Sequence, residues 1–224
     1  MIIKEVVDLS WKYTKNIKVF DGGEPLIIRK ERDISEDGST ELTTMDSFCM
    51  HYGTHLDCPG HMIDGGFRVE DKPASYFVGK GRVVDCTAYG PEEKIGMEVL
   101  DSVDLEGIDF LLFYINWGLK FGTKKQYRDY PTLSVALASF LGSHQTLKGI
   151  GIETNNCDVV GDATFPVHRA FLGNNSKILM EALTNLDRLL DKTFLLVAAP
   201  LLVEGAEAGP CRAVALVEEQ ESKA

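Results

Sequence analysis

Short runs in which apolar and polar residues alternate, or in which β-branched and aromatic residues predominate, recur along most of the chain. Such runs are typical of β-strands. The most apolar of them, IDFLLFYIN, predicts an interior strand of a sheet. The strands predicted in this way are Ile2–Leu9, Pro25–Lys30, Glu41–Met50, Arg82–Thr87, Ile108–Asn116, Lys148–Glu153, Lys192–Pro200 and Cys211–Glu218.

Helical signals are fewer and lie between the predicted strands. Ser134 suits the N-cap of a helix over Val135–Leu141, and Gly142 is its stop signal. Pro166 suits the first position of a second helix, which ends before Gly173. Because helices and strands are interspersed rather than segregated, the pattern predicts a mixed α/β fold with a substantial sheet.

The connecting segments give no reason to divide the chain. Asp101–Leu105 predicts a short turn of helix, and the glycine-rich, charged segment Gly60–Ser75 predicts an exposed loop. No Pro/Ser-rich linker interrupts the sequence, so we expect one domain over residues 1–224.

Composition narrows the class of protein. Hydrophobic residues make up 44% and charged residues 25% of the chain, which is typical of an ordinary globular protein. The net charge of −11 disfavours nucleic-acid and anionic membrane partners. The longest apolar run, Phe194–Val203, is too short to span a bilayer. The N-terminal segment has no apolar stretch typical of a signal peptide, so we expect a cytoplasmic protein.

The five cysteines favour neither a disulfide framework nor a thiolate zinc site. Their number is odd, and no two have the C-x-x-C spacing. Reduced thiols are therefore the expected state.

A histidine cluster is the most informative feature of the sequence. In the segment HYGTHLDCPGH, His51, His55, Asp57 and His61 share one parity, so an extended chain directs all four toward one face. Imidazole and carboxylate groups are the ligands that zinc and manganese prefer. Across a straight strand His51 and His55 could barely reach one ion, so the chain must bend between them, and Gly53 permits this bend. The spacing predicts a metal-binding loop.

A more distant element is expected to complete the ligand shell. The residues alone leave two candidate histidines, His144 and His168. Glu181 is the favoured acid, because it lies inside the apolar run SKILMEALTNL and a buried carboxylate needs a cation or donors to compensate it. Asp187 and Glu218 have more polar neighbours and are less favoured.

The same residues resemble a known family. HYGTHLDCPGH resembles the H-x-G-T-H-x-D-x-P-x-H signature of the metal-dependent cyclase family, which includes kynurenine formamidases and isatin hydrolases. DLSW, KGIGIETNNCD, PVHRAFLGNNSKILMEALTNL and AEAGPCRAVAL are similar to further motifs of that family, in the family's order. The resemblance extends over nearly the whole chain.

The resemblance implies a metal-dependent hydrolase that cleaves a non-peptide amide C–N bond of a small molecule with a metal-activated water, as an arylformamidase of tryptophan catabolism does. One ion is expected on His51, His55 and Asp57, and a second on Asp57, His168 and Glu181. His61 matches the position of a catalytic acid/base. The implied fold is the swivelling β/β/α type, with a central, partly barrel-like mixed sheet and few helices. Zinc is favoured over manganese, with one or two ions per subunit of a homodimer or homotetramer.

Several departures from the family pattern lie outside the implied ligands. They are Trp11, Met62, Asn116, Glu153 and Asn155. They leave two alternatives open: a related hydrolase that opens a cyclic amide such as isatin, and a catalytically lapsed metal-binding module.

Overall fold

Strands provide most of the regular structure in the computed structural model, which describes residues 2–17, 19, 23–38, 40–121, 123 and 128–218. Numbered along the chain, the strands are β1 Ile3–Asp8, β2 Ile27–Arg32, β3 Leu42–Asp46, β4 His55–Asp57, β5 Val78–Asp85, β6 Lys94–Ile95, β7 Phe110–Tyr114, β8 Thr132–Leu133, β9 Gly149–Ile152, β10 Ile178–Glu181, β11 Phe194–Val197, β12 Ala208–Pro210 and β13 Val214–Glu218. The α-helices are α1 Ile34–Asp37, α2 Val135–Ser143 and α3 Pro166–Leu172.

Nine of these strands form one mixed sheet that curls into a half-barrel. Their order is β1-β13-β11-β5-β7-β9-β10-β4-β12. The central strands β5, β7, β9 and β10 are parallel, and the strands on both sides of them pair antiparallel. A separate ribbon joins β2 to β3, and β6 pairs with β8. The predicted mixed α/β class with a partly barrel-like sheet is confirmed.

The central sheet is covered on both faces, as expected of parallel strands. Along β7, Phe110 and Leu112 belong to one apolar cluster, and Leu111 and Phe113 belong to the other. Helices α2 and α3 pack on each other and contribute Leu137, Leu141 and Phe171 to the second cluster. This packing holds the ends of β9 and β10 and the start of α3 in fixed positions.

The longer predicted elements are confirmed. Each of the eight predicted strands overlaps an observed strand, and α3 has the predicted limits. Helix α2 begins as predicted and extends to Ser143. The Ser134 hydroxyl accepts a hydrogen bond from the Leu137 N–H at 3.2 Å, which is the expected N-cap geometry.

Two predictions about the connecting segments are wrong. The helical turn expected at Asp101–Leu105 instead lies at Met97–Leu100 as a 3₁₀ turn. The segment Gly60–Ser75 is not simply an exposed loop, because Phe67 and Val69 are buried in the core. Apolar side chains spaced through a polar segment are difficult to recognise without their packing partners.

None of the helices within the described residues is long and apolar enough to cross a bilayer.

Candidate metal centre

The signature loop bends at Gly53 and then enters the sheet. Gly53 has φ +61°, and a Cβ at this position would lie 3.1 Å from the Tyr13 ring and 3.2 Å from Ile17 Cδ1. Glycine is therefore required both for its backbone angle and for space. Beyond the bend, His55 and Asp57 lie in β4, two residues apart, and face the same side of the sheet.

Strand pairing brings Glu181 to this loop. Glu181, the last residue of β10, is the cross-strand partner of His55 in β4. Its Oε2 lies 3.6 Å from His55 Nε2. The acid that sequence reasoning selected therefore reaches the cluster through the register of two short strands that the pattern did not predict.

Helix α3 brings a fourth histidine, His168, to the candidate metal site. His168 Nε2 lies 3.5 Å from Asp57 Oδ2 and 3.3 Å from Glu181 Oε1. His144, the alternative histidine, instead ends α2, where its Nδ1 contacts the Thr146 hydroxyl at 3.3 Å. Of the two histidines left open by the residues, the structure places His168 beside Asp57.

Three polar atoms at the centre of this cluster are buried and form no well-aligned hydrogen bond, although ion-pair neighbours lie 3.0–3.6 Å away. They are His55 Nε2, Asp57 Oδ1 and Glu181 Oε1. Asp57 Oδ1 lies 3.0 Å from His51 Nδ1 and 3.4 Å from His55 Nε2. Unsatisfied buried polar atoms are costly, and a divalent cation among them would satisfy all three. The donor set therefore fits the zinc or manganese ion that the resemblance implies.

The outward-facing nitrogen of each of three histidines has an acceptor. His55 Nδ1 lies 2.9 Å from the Gly53 carbonyl, His168 Nδ1 2.7 Å from Asp158 Oδ2, and His51 Nε2 3.1 Å from Glu207 Oε1. An N–H donated outward leaves the other ring nitrogen with its lone pair toward the cluster. This arrangement is typical of histidines that bind metal.

The charges of the cluster are coupled. Although burial alone raises the pKa of Asp57, the His55 and His51 charges hold it well below its usual range. Burial alone lowers the pKa of His51, but Asp57 and Glu207 raise it to about 9. Burial alone lowers the pKa of His168, but its neighbours Cys157, Asp158 and Asp57 raise it well above its usual value. The carboxylates therefore favour a positive charge within the cluster.

His61 lies at the edge of the cluster. It ends a 3₁₀ turn, Pro59–His61, and its ring centroid is 4.3 Å from that of His51 and 6.1 Å from that of His168. With His51 and Glu207 it forms a separate group of possible metal ligands whose atoms lie within 4.8 Å of one another, and it does not join the groups that contain Asp57 or Glu181. The geometry therefore separates His61 from the Asp57 and Glu181 carboxylates.

A cavity of about 300 Å³ opens onto the cluster. It is lined by His51, Asp57, His61, Met62, Asn155, Asn156, Phe165, His168 and Glu181. Met62 and Asn155 had been noted only as departures from the family pattern. Asn156, Phe165, Asp158 and Glu207 were missed. The Asp158 carboxylate in TNNCD was visible in the sequence, but nothing local connected it with His168.

The fold and the cluster define a mixed α/β protein with a buried imidazole–carboxylate centre suited to a divalent cation. The Cyclase family model matches residues 7–159, so this chain belongs to the Cyclase family.

Known relatives match nearly the full length of the chain. A kynurenine formamidase of Bacillus cereus is 29% identical over 215 residues, which cover 96% of this chain and 98% of that protein. Isatin hydrolase A from Ralstonia solanacearum has a similar fold, with a TM-score of 0.81, 24% identity and coverage of 96% and 92% of the two chains. A structure described as a potential metal-dependent hydrolase with cyclase activity matches at a TM-score of 0.73 and 23% identity, over 96% and 98% of the chains.

Proposed function

We propose that this protein is a metal-dependent hydrolase that cleaves a non-peptide amide C–N bond in a small molecule. The observation that carries the proposal is the convergence of three unsatisfied buried atoms, from His55, Asp57 and Glu181, beside a cavity that Asp57, Glu181 and His61 line. The names of the relatives support the same reaction class, since an aryl formamide and isatin both contain an amide C–N bond.

The proposed ligands are His51, His55, Asp57, His168 and Glu181, holding one or two divalent ions. Three imidazoles and two carboxylates suit zinc first and manganese second. The chemistry that such an ion supplies when bound is Lewis acidity, which polarises a carbonyl and makes a nearby water more acidic.

His61 is the residue that we propose moves protons. Burial lowers the pKa of His61, and the nearby Asp57 charge only partly offsets that effect. A neutral imidazole at pH 7 can accept a proton from the attacking water and return it to the leaving nitrogen. Met62 and Phe165 form apolar parts of the wall of the same cavity.

The carboxylates on the outer nitrogens complete the proposed arrangement. Asp158 and Glu207 hold His168 and His51 with one nitrogen toward Asp57, so the imidazoles are oriented before a metal ion binds.

We also propose, from family resemblance, that the active form is a homodimer or homotetramer, which light scattering at micromolar concentration will test.

Metal analysis of the purified protein, combined with hydrolysis assays on N-formylkynurenine, isatin and related amides, tests the function. We expect one or two equivalents of zinc or manganese and metal-dependent release of a carboxylate product. Tight metal binding without hydrolysis of any amide would instead support a lapsed, metal-binding module. Hydrolysis that survives complete metal removal would overturn the proposal.

A further inference from the structure

We propose that Asp158 is a positioning residue that fixes His168 with its Nε2 toward Asp57 and Glu181. This inference rests on the proposed metal centre and assigns a role to a residue outside the ligand set. Asp158 is fully buried and lies ten residues before His168, in the segment that leads from β9 to α3.

Both oxygens of the Asp158 carboxylate bind the beginning of α3. Oδ1 accepts a hydrogen bond from the Val167 N–H at 2.6 Å, and Oδ2 accepts one from the His168 N–H at 3.1 Å. Oδ2 also lies 2.7 Å from His168 Nδ1. One carboxylate therefore fixes the backbone that carries the imidazole and the imidazole itself.

The hydrogen bond to the ring decides which nitrogen faces the cluster. A carboxylate only accepts, so His168 Nδ1 must carry the proton. Nε2 is then the nitrogen with the available lone pair, and it is the one that lies 3.3 Å from Glu181 Oε1 and 3.5 Å from Asp57 Oδ2. A partner that donated to Nδ1 would place a proton on Nε2 and block metal binding there.

Asp158 differs from the acceptors of the other two histidines. The acceptor of His55 is a backbone carbonyl, which no side-chain substitution removes. The acceptor of His51 is Glu207, whose side chain is 34% exposed, so water can replace it. Asp158 is 0% exposed, and water has no access to substitute for it. Its loss should therefore weaken metal binding more than the loss of Glu207.

Cys157 provides a control substitution, because its thiol lies beside the same ring nitrogen, His168 Nδ1, as the Asp158 carboxylate. Its Sγ lies 3.3 Å from His168 Nδ1, and Cys157, His168 and Glu181 offer ligand atoms within 4.8 Å of one another. Burial raises the pKa of this thiol to about 12, so it stays neutral and is a weak hydrogen-bonding partner. Removing the thiol changes the surroundings of Nδ1 while leaving the Asp158 hydrogen bond in place.

The experiment is a double-mutant cycle of zinc affinity, measured by chelator competition on the full chain at pH 7. We expect Asp158→Asn to weaken zinc binding by about 10- to 100-fold, the usual effect of losing such a partner. In a His168→Ala background, the same substitution should change the affinity by less than about threefold, because Asp158 acts through His168. Cys157→Ala should bind zinc within about threefold of wild type.

The outcomes separate the two proposals. If Asp158→Asn leaves the affinity unchanged, or weakens it equally with and without His168, the positioning role is wrong although the metal centre stands. If wild-type protein binds zinc no more tightly than His168→Ala, His168 is not a ligand and the positioning role is wrong, whereas a wild-type protein that binds no zinc would overturn the proposed metal centre as well. Should Asp158→Asn fail to fold, Asp158→Glu, which keeps the charge but displaces the carboxylate, replaces it in the same cycle with the same expected loss.

Discussion

Glu181 lies directly opposite His55 in the antiparallel pairing of β10 with β4, and its Oε2 is 3.6 Å from His55 Nε2. Paired residues of an antiparallel ladder point to the same face of the sheet. The register of two short strands therefore brings together an acid and a histidine that are far apart in the sequence. A slip of one residue would turn Glu181 toward the opposite face.

Substitution of His61 should separate catalysis from metal binding. His61 lies beside the ligand cluster and not in the groups that contain Asp57 or Glu181. We expect His61→Ala to lower kcat by about 10²-fold or more, the usual effect of losing an acid/base, with metal content close to wild type. His55→Ala should lose metal and activity together. If the purified His61→Ala protein contains no bound metal, His61 is a metal ligand instead.

Glu181 should determine how strongly zinc stabilises the fold. A ligand that binds only the native state adds about 2.7 kcal/mol to the free energy of unfolding at 100 times its Kd. We expect Glu181→Gln to show a much smaller increase than wild type at the same zinc concentration in urea unfolding. Asp187→Asn, at an exposed carboxylate a few residues away, is the control and should respond as wild type does. Equal stabilisation of all three proteins would contradict the assignment of Glu181 as a ligand.

Gly53 should be intolerant of a side chain for two reasons. Its φ of +61° disfavours any other residue, and an added Cβ would meet Tyr13 and Ile17 at 3.1–3.2 Å. Gly107→Ala is the matched control, since Gly107 has φ +67° and open space around its Cβ position. Both substitutions should cost about 1 kcal/mol from the backbone angle. Gly53→Ala should cost more in urea unfolding and should also weaken zinc binding, whereas Gly107→Ala should leave zinc affinity unchanged.

Glu153 should make stability depend on pH. Burial raises its pKa, against the backbone N–H groups of Ile115 and Trp117 that hydrogen-bond to its Oε2. A carboxyl group whose folded pKa is raised contributes stability that is fully present below its unfolded pKa, about 4.5, and is lost as the pH rises through the folded pKa. Glu153→Gln cannot ionise, and its amide oxygen can still accept from the two N–H groups.

The measurement is urea unfolding of wild type and Glu153→Gln between pH 4.5 and 7.5. The free energy of unfolding of Glu153→Gln minus that of wild type should become more positive as the pH rises. A difference that is constant, or that falls with pH, would show that the ionised carboxylate is not destabilised by its surroundings.

The sequence alone determined the features that depend on local chemistry. Helix α3 has its predicted limits because Pro166 suits a first helical turn, and α2 starts after Ser134 because that hydroxyl caps the helix. The long strands follow from runs such as IDFLLFYIN, whose composition suits a buried sheet. The loop from His51 to His61 was identified from its spacing alone, because its ligand types and the bend at Gly53 lie within eleven residues.

Only the tertiary structure decided which distant groups meet this loop. The residues alone did not show whether His144 or His168 is the remote ligand. Each lies in or next to a predicted helix, and nothing in the local sequence shows which helix faces β4. Asp158 and Glu207 were missed for the same reason, since their partners are His168 and His51. Strands β4, β10 and β12 are three or four residues long, and the pattern did not predict them. Their pairing is fixed by non-local hydrogen bonds and by packing on both faces of the sheet, and it is this pairing that brings the candidate metal ligands together.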